Sequence, residues 1–456
     1  MTPSDSPDLP WIGAADLAAA IAAGRVSARE ACDAAIARIE RIDVAINAVV
    51  VRDFERARSQ ADAADAALAR GERRPLLGVP MTVKESYDVA GLPTTWGLPP
   101  FRENRPGEDA VAVARLKQAG AVILGKTNVP PALGDWQSTN AIYGRTVHPR
   151  DPSRGPGGSS GGAAAALATG MVPLELGSDL GGSIRVPAHL CGVFGHKPSL
   201  GLVPARGHGF PGTDGAPSDL AVCGPLARSA EDLDLALGIV AGPFSDDATG
   251  YRLALPAPLA QLAGCRILAL DEHPSARTAS VIRAAVERTC AAAENAGARI
   301  ERATPLLPDL AAAHATYAAM LQTVTSRGAP SASGVISAHE WLNLLDQRAR
   351  LRRRWRALFE HFDVVLAPAF GVVAFPHVDH PQQADTPLMI DGIGTKYGDQ
   401  LAWPGVATLP GLPATVAPID ETPEGLPIGL QVIGPFLQDR RTIHVAGSLH
   451  ALTRGA

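Results

Sequence analysis

The sequence predicts an α/β protein, and three observations carry that expectation. Patterns typical of helices alternate along the chain with short apolar runs typical of buried strands. Hydrophobic residues make up 46% and charged residues 19% of the 456 residues, which is the composition of a folded globular protein rather than a disordered one. Length alone would allow about three average domains, but single α/β enzymes also reach this length.

Helical patterns dominate the N-terminal part of the chain, and the first buried strands follow them. Ser27 and Glu30 form a capping-box pattern before an Ala-rich run, and Gly71 is a plausible cap where a later run stops. The run LLGVPMTVKE has the apolar content of a buried strand that ends near Lys84. The predicted helices are 14–24, 27–49, 53–70 and 109–119, and the predicted strands are 76–85 and 121–126.

The remaining chain continues this alternation, with two irregular stretches. Residues 205–219 are rich in Gly, Pro and Asp and predict a loop, and residues 371–400 lack a clear period and predict a loop or lid. The predicted helices here are 163–170, 278–297, 308–327 and 338–361. The predicted strands are 172–177, 265–270, 298–303, 363–368, 413–418 and 427–434.

Charge, cysteine content and hydropathy narrow the classes of function. The net charge is −5, and beyond the short run at 348–356 no strongly basic stretch occurs, so nucleic acid is not the expected partner. Five scattered cysteines without a C-x-x-C pair indicate free thiols in a reducing compartment and no zinc site. Residues 1–10 lack a signal-peptide pattern, and no apolar run is long enough to span a membrane, so we expect a cytoplasmic protein.

The stretch GGSSGG at 157–162 admits several interpretations. It satisfies the nucleophile-elbow pattern G-x-S-x-G with Ser159 at its centre, but three prolines and several charges in 148–158 argue against the buried strand that an elbow needs. A flexible linker is disfavoured because the glycines run directly into an Ala-rich helix. A phosphate loop is disfavoured because no G-K-[ST] follows.

A second cluster, GSDLGGSIR at 177–185, contains another candidate serine. Consecutive glycines before Ser183 allow successive backbone N–H groups to point at one spot, as an oxyanion requires. Taken alone, the cluster is more typical of an ordinary Gly-rich turn.

A nucleophilic serine needs a base, and neither cluster contains a histidine. Lys84 is the candidate, because a lysine buried at the end of an apolar strand would have its charged form disfavoured. The alternative is a surface lysine whose strand ends in water.

Taken together, these segments resemble the amidase signature family. The resemblance is carried by PGGSSGGAAAA at 156–166, GSDLGGSIRVPAHLCGVFGHKPS at 177–199 and GLPIGLQVIGP at 425–435. Lys84, Ser159 and Ser183 are separated by 75 and 24 residues, as in the family pattern. The resemblance covers most of the chain from residue 27 onward and implies one large, twisted, mixed β-sheet covered by helices.

The resemblance also implies a single amidase domain over 1–456. Its parts would be an N-terminal helical segment over about 1–72, a Ser-Ser-Lys core over about 73–240, and the remaining sheet and substrate loops over about 241–456.

The resemblance implies a role for each member of a Ser-Ser-Lys triad. Ser183 would be the acylated nucleophile, Ser159 the bridging serine and Lys84 the neutral base, with no metal and no organic cofactor. The reaction would be hydrolysis of amide bonds in small molecules, with esters and carbamates as further substrates. The implied oxyanion hole consists of the backbone N–H groups of Leu180, Gly181, Gly182 and Ser183.

Some neighbouring residues support the turn or depart from the family pattern. Asp179 and Arg185 flank the nucleophile and are expected to brace it. Glu85 replaces a more usual Asp after the lysine, and Leu180 stands where Thr or Ile is frequent, although only its N–H is needed. His196 stands where relatives carry an apolar residue, and the sequence assigns it no role.

The substrate pocket is expected from residues 128–138, 205–219 and 371–403. Leu133 and Gln137 are candidate substrate contacts, with ordinary loop packing as the alternative. The aromatic side chains in these loops, together with few fixed charges, favour apolar or aromatic substrates. They are Trp136, Phe210, Phe375 and Trp403.

Two other functions remain open at this point. One is an amidotransferase component that uses ammonia from glutamine to amidate misacylated tRNA and needs partner proteins. The other is a binding protein on the same fold that has lost catalysis, although all three triad positions are intact. A homodimer is compatible with either an enzyme or a binding protein.

Overall fold

A computed structural model describes residues 12–213, 216–259, 261–326, 336–378 and 387–454. Within these residues, eleven strands form one mixed sheet, and two short hairpins stand apart from it. The strands are β1 (Val49–Arg52), β2 (Pro80–Lys84), β3 (Val122–Thr127), β4 (Thr139–Asn140), β5 (Gly144–Arg145), β6 (Leu174–Asp179), β7 (Phe194–Lys197), β8 (Val222–Ala227), β9 (Arg266–Ala269), β10 (Arg299–Glu301), β11 (Val364–Pro368), β12 (Pro387–Ile390), β13 (Ile393–Lys396), β14 (Ala414–Glu421) and β15 (Pro427–Ile433).

The large sheet has the strand order β1-β3-β2-β6-β8-β7-β14-β15-β11-β9-β10. Strand β2 runs parallel to both β3 and β6, whereas β8, β7, β14 and β15 pair antiparallel with their neighbours. The central strands are buried along their whole length, which explains why the sequence shows continuous apolar runs there rather than alternation. The expectation of an α/β protein with one large mixed sheet is confirmed.

Helices surround the sheet, and several begin where the sequence indicated. Ser27 and Glu30 form the complete capping box at the start of α2, and the helix before Gly71 ends at Ala69. The helices are α1 (Ala14–Ala22), α2 (Ala28–Ile46), α3 (Phe54–Ala69), α4 (Val111–Gln118), α5 (Gly161–Ala168), α6 (Arg185–Cys191), α7 (Ala230–Val240), α8 (Asp247–Gly250), α9 (Ser280–Asn295), α10 (Leu310–Thr325), α11 (Ala338–His361), α12 (Ala402–Thr408) and α13 (Asp439–Arg454). Among the described residues, no helix has the length and apolar character needed to cross a membrane.

Several elements, among them β8, were not predicted from the sequence, and two regions that were predicted have a different structure. The helix predicted over 27–49 ends at Ile46, because Asn47 adopts a left-handed conformation and the β-branched residues that follow form β1. Residues 387–396, predicted as loop or lid, form the β12–β13 hairpin, whose tight turn has positive φ at Asp391 and Gly392. The neighbouring residues 379–386 lie outside the described residues. So do residues 1–10, for which the sequence analysis predicted no signal peptide.

The sheet topology brings the predicted site together. Because β2 and β6 are adjacent and parallel, their carboxyl ends meet at the same edge of the sheet. Lys84 is the last residue of β2, and Ser178 and Asp179 are the last two of β6. Ser159 lies just before α5, and Ser183 lies in the turn from β6 to α6.

Candidate active site

Lys84 is completely buried at the end of β2 and contacts two serines. Its Nζ donates to Ser159 Oγ at 2.7 Å and to Ser178 Oγ at 2.9 Å. The strand therefore does not end in water, and the interpretation of Lys84 as a surface lysine is wrong. The motifs gave no sign that Ser178 would be a partner of the lysine.

Burial sets the protonation state of Lys84. Loss of solvation lowers its pKa from 10.5 to about 7, although the negative charge of Asp179 favours the protonated form. Glu175, on the neighbouring strand β6, does not supply a strong counter-charge, because burial raises the pKa of its carboxyl to about 8. At neutral pH about half of the Lys84 side chains are therefore uncharged.

The GGSSGG segment is packed into the core and forms the start of α5. Ser159 is 1% exposed and follows a cis peptide bond from Gly158. A side-chain carbon at Gly158 would lie 2.5 Å from the Asp135 carbonyl oxygen, and one at Gly162 would lie 2.4 Å from Asn128 N. These glycines are needed for close backbone approach, so the segment is not a flexible linker. It is not an elbow either, because the described residues before Ser159 form no strand that leads into it.

The turn that carries Ser183 is held by a buried ion pair. Asp179 accepts hydrogen bonds from Gly182 N at 3.0 Å and Ile184 N at 3.1 Å, and Arg185 Nη2 donates to it at 2.8 Å. Burial alone would raise the pKa of Asp179, but the charge and hydrogen bonds of Arg185 lower it to about 2. Both side chains are fully buried, which matches the bracing role expected from the sequence.

The candidate nucleophile lies against the loop of the bridging serine. Ser183 is 8% exposed, and its carbonyl oxygen accepts a hydrogen bond from Ser160 N at 3.1 Å. Of the four N–H groups expected in the oxyanion hole, that of Gly182 donates to Asp179. In the described chain, those of Leu180, Gly181 and Ser183 have no protein acceptor.

Glu85 has a structural task next to Lys84. Its buried carboxylate accepts hydrogen bonds from Thr95 N at 2.6 Å and Trp96 N at 2.9 Å. Burial raises the pKa of Glu85, while the charge of Lys126 opposes this change. The Glu85 side chain, which stands where relatives more often have Asp, therefore holds the loop at Thr95 and Trp96. This loop places the Trp96 ring 5.4 Å from His208 and 5.6 Å from Phe210.

A second aromatic group contacts the turn that carries the candidate nucleophile, residues 180–183, here called the nucleophile turn, through Trp136. Trp136 packs 4.8 Å from Phe370 and 5.0 Å from Tyr397, and Phe375 lies 5.7 Å from the same tyrosine. Trp403, expected in the pocket, is instead fully buried against His273, and its indole N–H donates to Thr278.

The two candidate substrate contacts differ in their surroundings. Leu133 lies in a short turn where its φ is 60°. Gln137 is 4% exposed, and its side-chain amide exchanges hydrogen bonds with the backbone of Val378 at 2.8 and 3.1 Å. Ordinary loop packing accounts for Gln137, and the role of either residue as a substrate contact stays a prediction.

His196 lies away from the triad and joins three distant elements. Its Nδ1 is 2.9 Å from Thr415 Oγ1 on β14, and its Nε2 is 3.1 Å from Asp439 Oδ1 at the start of α13. Asp439 is 243 residues away in sequence, so no local pattern could indicate this structural role.

These features define an α/β protein with a buried Lys-Ser cluster at one edge of its large mixed sheet. A family model described as Amidase matches residues 30–331 and 318–443. The chain belongs to this family, whose members are the amidase signature enzymes, and it is an enzyme of the class that hydrolyses C–N bonds of amides.

Individual relatives carry different activities on this shared fold. The chain is 37% identical over 442 residues to AtzE, a component of the 1-carboxybiuret hydrolase of Pseudomonas sp. (strain ADP), covering 91% of this chain and 92% of that protein. It is 33% identical to a component of the glutamyl-tRNA(Gln) amidotransferase of Roseiflexus castenholzii, covering 95% and 94%. The solved structure of a bacterial aryl acylamidase aligns with a TM-score of 0.86 at 23% identity, covering 97% and 96%.

Proposed function

We propose that this enzyme hydrolyses small-molecule amides through an acyl-enzyme on Ser183, with Ser159 as the bridging serine and Lys84 as the base. The observation that carries the proposal is the 2.7 Å contact between two buried groups, Lys84 Nζ and Ser159 Oγ, one of which has a pKa near 7. A base whose pKa lies near the working pH is the most effective in general-base catalysis.

The acylation step follows from this arrangement. Ser183 Oγ attacks the acyl carbon, its proton passes to Ser159 Oγ, and the Ser159 proton passes to neutral Lys84. The negative charge that develops on the acyl oxygen is stabilised by backbone N–H groups of the nucleophile turn. Protonated Lys84 then returns the proton through Ser159 to the leaving nitrogen, the C–N bond breaks, and the amine departs.

Deacylation uses the same groups in reverse. Water loses a proton to Lys84 through Ser159 and attacks the ester carbon, and the bond to Ser183 breaks as its oxygen regains a proton. Esters and carbamates present the same acyl carbon, so we expect them to be cleaved as well. The three protein groups supply all of the proton transfers in this scheme.

The surroundings of the turn favour apolar or aromatic substrates. Trp136, Tyr397 and Phe375 pack together beside it, and burial raises the pKa of the nearby Asp135 carboxyl to about 6. Placing a charged substrate group against such walls without a partner costs several kcal/mol. The carboxyl of Asp135 is already bound by the Tyr397 hydroxyl, which limits its ability to pair with a cationic substrate.

The amidotransferase function is the second candidate, since the chain is 33% identical to a component of such an enzyme over nearly its whole length. A test that separates the two uses the purified chain alone. Hydrolysis of aryl amides without partner proteins supports the proposed amidase. Hydrolysis of glutamine that depends on added partner proteins favours the amidotransferase.

Covalent labelling tests the catalytic assignment. We expect a fluorophosphonate probe to form an adduct on Ser183, and Ser183→Ala to abolish both labelling and turnover while the protein stays folded. Ser280→Ala, which changes a serine at the start of α9, is the matched control and should keep both. An adduct found on Ser159 would reverse the order of the two serines, and an absent adduct would favour the catalytically inactive binding protein.

A further inference from the structure

We propose that Tyr317 is a positioning residue that orients the oxyanion hole by binding a carbonyl oxygen of the nucleophile turn, while Trp136 holds the next peptide unit of that turn. Tyr317 Oη donates to the Leu180 carbonyl oxygen at 2.8 Å, and Trp136 Nε1 donates to the Gly181 carbonyl oxygen at 2.8 Å. The inference rests on the proposed function, because it assumes that Ser183 is the nucleophile.

Because a peptide unit is planar, a contact that fixes its carbonyl group also fixes the direction of its N–H group. In a trans peptide the C=O of one residue and the N–H of the next point in opposite directions. The bond from Tyr317 to Leu180 therefore fixes the direction of the Gly181 N–H. The bond from Trp136 to Gly181 likewise fixes the Gly182 N–H, which donates to Asp179 at 3.0 Å.

These contacts distinguish the two glycine N–H groups. The peptide unit between Gly181 and Gly182 is held at both ends, so its N–H is not available to a substrate. The unit between Leu180 and Gly181 is held only at its carbonyl end, and in the described chain its N–H has no acceptor. Leu180 and Gly181 are also partly exposed, so we assign Gly181 N–H as an oxyanion donor oriented by Tyr317.

The peptide unit between Leu180 and Gly181 needs such an external contact because the backbone N–H groups that Asp179 binds lie further along the chain, from Gly182 onward. Gly181 has no side chain, and Gly182 has a φ of 91°, a conformation that glycine adopts without strain. The peptide unit between Leu180 and Gly181 adjoins the first of these flexible residues, and a rotation of that unit would point the Gly181 N–H away from the acyl oxygen. An oxyanion hole is effective only if its donors are oriented before the reaction.

Tyr317 is well placed for this task. Its side chain is completely buried on α10 and sits against Gly405 of α12, where a side-chain carbon would lie 2.6 Å from the tyrosine ring. Burial raises the pKa of the Tyr317 hydroxyl, so it remains a hydrogen-bond donor over the working range of pH. Neither Tyr317 nor Trp136 lies within the signature segments, which is why the motifs did not indicate these contacts with the turn.

The test uses Tyr317→Phe, which removes only the hydroxyl. We expect kcat for a neutral aryl anilide to fall about tenfold, the size of effect that loss of one oriented hydrogen bond produces. KM should change less than about twofold, because the bond does not touch the bound substrate. Thr316→Val is the matched control, since it removes a neighbouring hydroxyl on α10 that binds Gln347 rather than the turn.

Inhibitor binding gives a readout that a general packing defect would not produce. An aryl-alkyl trifluoromethyl ketone forms a tetrahedral oxyanion adduct with a serine, whereas the corresponding secondary alcohol does not. Affinity for the ketone should fall with kcat in Tyr317→Phe, and affinity for the alcohol should stay the same. If this variant does not fold, Tyr317→Met, which also removes the hydroxyl and fills the site with a flexible apolar side chain, should show the same pattern.

Three outcomes would count against the inference in different ways. Unchanged kcat and ketone affinity in a folded Tyr317→Phe enzyme would overturn it while leaving the proposed function intact. Equal losses of ketone and alcohol affinity would assign Tyr317 to substrate binding instead. If the unsubstituted enzyme forms its fluorophosphonate adduct away from Ser183, the inference and the proposed function fall together.

Discussion

The buried base predicts how activity depends on pH. If Lys84 must be neutral to accept the proton of Ser159, then kcat/KM should rise as the lysine deprotonates and level off above its pKa. Burial lowers that pKa from 10.5 to about 7. Relative to a lysine in water, the site therefore disfavours the protonated form by about 5 kcal/mol.

The magnitude of the change follows from the neutral fraction. With a pKa of about 7, roughly one tenth of the lysine is neutral at pH 6 and about nine tenths at pH 8. We therefore expect kcat/KM to rise about tenfold between these values and to be nearly constant above pH 8. A lysine with its ordinary pKa would instead give an increase of about tenfold for every pH unit through pH 9.

The same shift makes a linked prediction about stability. Because the folded-state pKa lies below the unfolded value, the unfolded chain binds the extra proton between pH 7 and about 10. The penalty of burying Lys84 is therefore fully present below pH 7 and disappears as the pH rises through this window. The Lys84→Met variant should lose this contribution to the pH dependence of the free energy of unfolding.

The assay is a pH profile of kcat/KM on a neutral anilide from pH 5.5 to 9.5. Lys126 needs a control, because burial lowers its pKa to about 8. Its ammonium binds Thr94 in the loop region, so Lys126→Met should leave the midpoint near 7. A flat profile, a rise that continues through pH 9, or a midpoint that moves with Lys126 would refute the assignment of Lys84 as the base.

Three further predictions follow from the site. Lys84→Ala should reduce anilide cleavage much more than cleavage of a nitrophenyl ester, because only the amine needs a returned proton; equal losses would argue against the relay. Asp179→Asn should lower the free energy of unfolding, measured by urea denaturation, by about 3–5 kcal/mol, because it leaves Arg185 buried without its partner. The exposed control Asp271→Asn should lower it by less than about 1 kcal/mol. Matched anilides with neutral and charged acyl groups should give the higher kcat/KM for the neutral series, and the reverse order would contradict an apolar pocket around Trp136.

The sequence predicted the fold where local patterns were decisive. Continuous apolar runs identified β2, β3 and β15, because strands buried on both faces need no polar alternation. Strand β8 was missed because Gly224 and Pro225 interrupt its pattern, and proline within a run argues against a central strand. The β12–β13 hairpin could have been found from Asp391 and Gly392, since this dipeptide is a strong signal for a two-residue turn.

The site could be predicted only as far as its chemistry lies in contiguous segments. The motifs indicated Lys84, Ser159 and Ser183 as candidate site residues because each lies in or beside a short, distinctive stretch of sequence. The glycines around the two serines are required by packing. Tyr317 escaped notice because its contact with the nucleophile turn joins residues 137 positions apart, and a tyrosine on a helix has no local mark of function. Contacts across such separations depend on the tertiary fold rather than on spacing.

The electrostatics of the site follow from where two strands end. Lys84 and Asp179 terminate neighbouring parallel strands, so a cation and an anion are brought to the same edge of the sheet. The negative charge of Asp179 favours the protonated form of Lys84, in which the lysine cannot accept a proton. Arg185 donates two hydrogen bonds to the carboxylate and keeps Asp179 ionised, and its positive charge offsets the negative charge near Lys84. In the proposed mechanism, the ion pair that braces the turn of Ser183 also leaves burial as the largest influence on the pKa of Lys84, and the two roles cannot be separated by removing Arg185 alone.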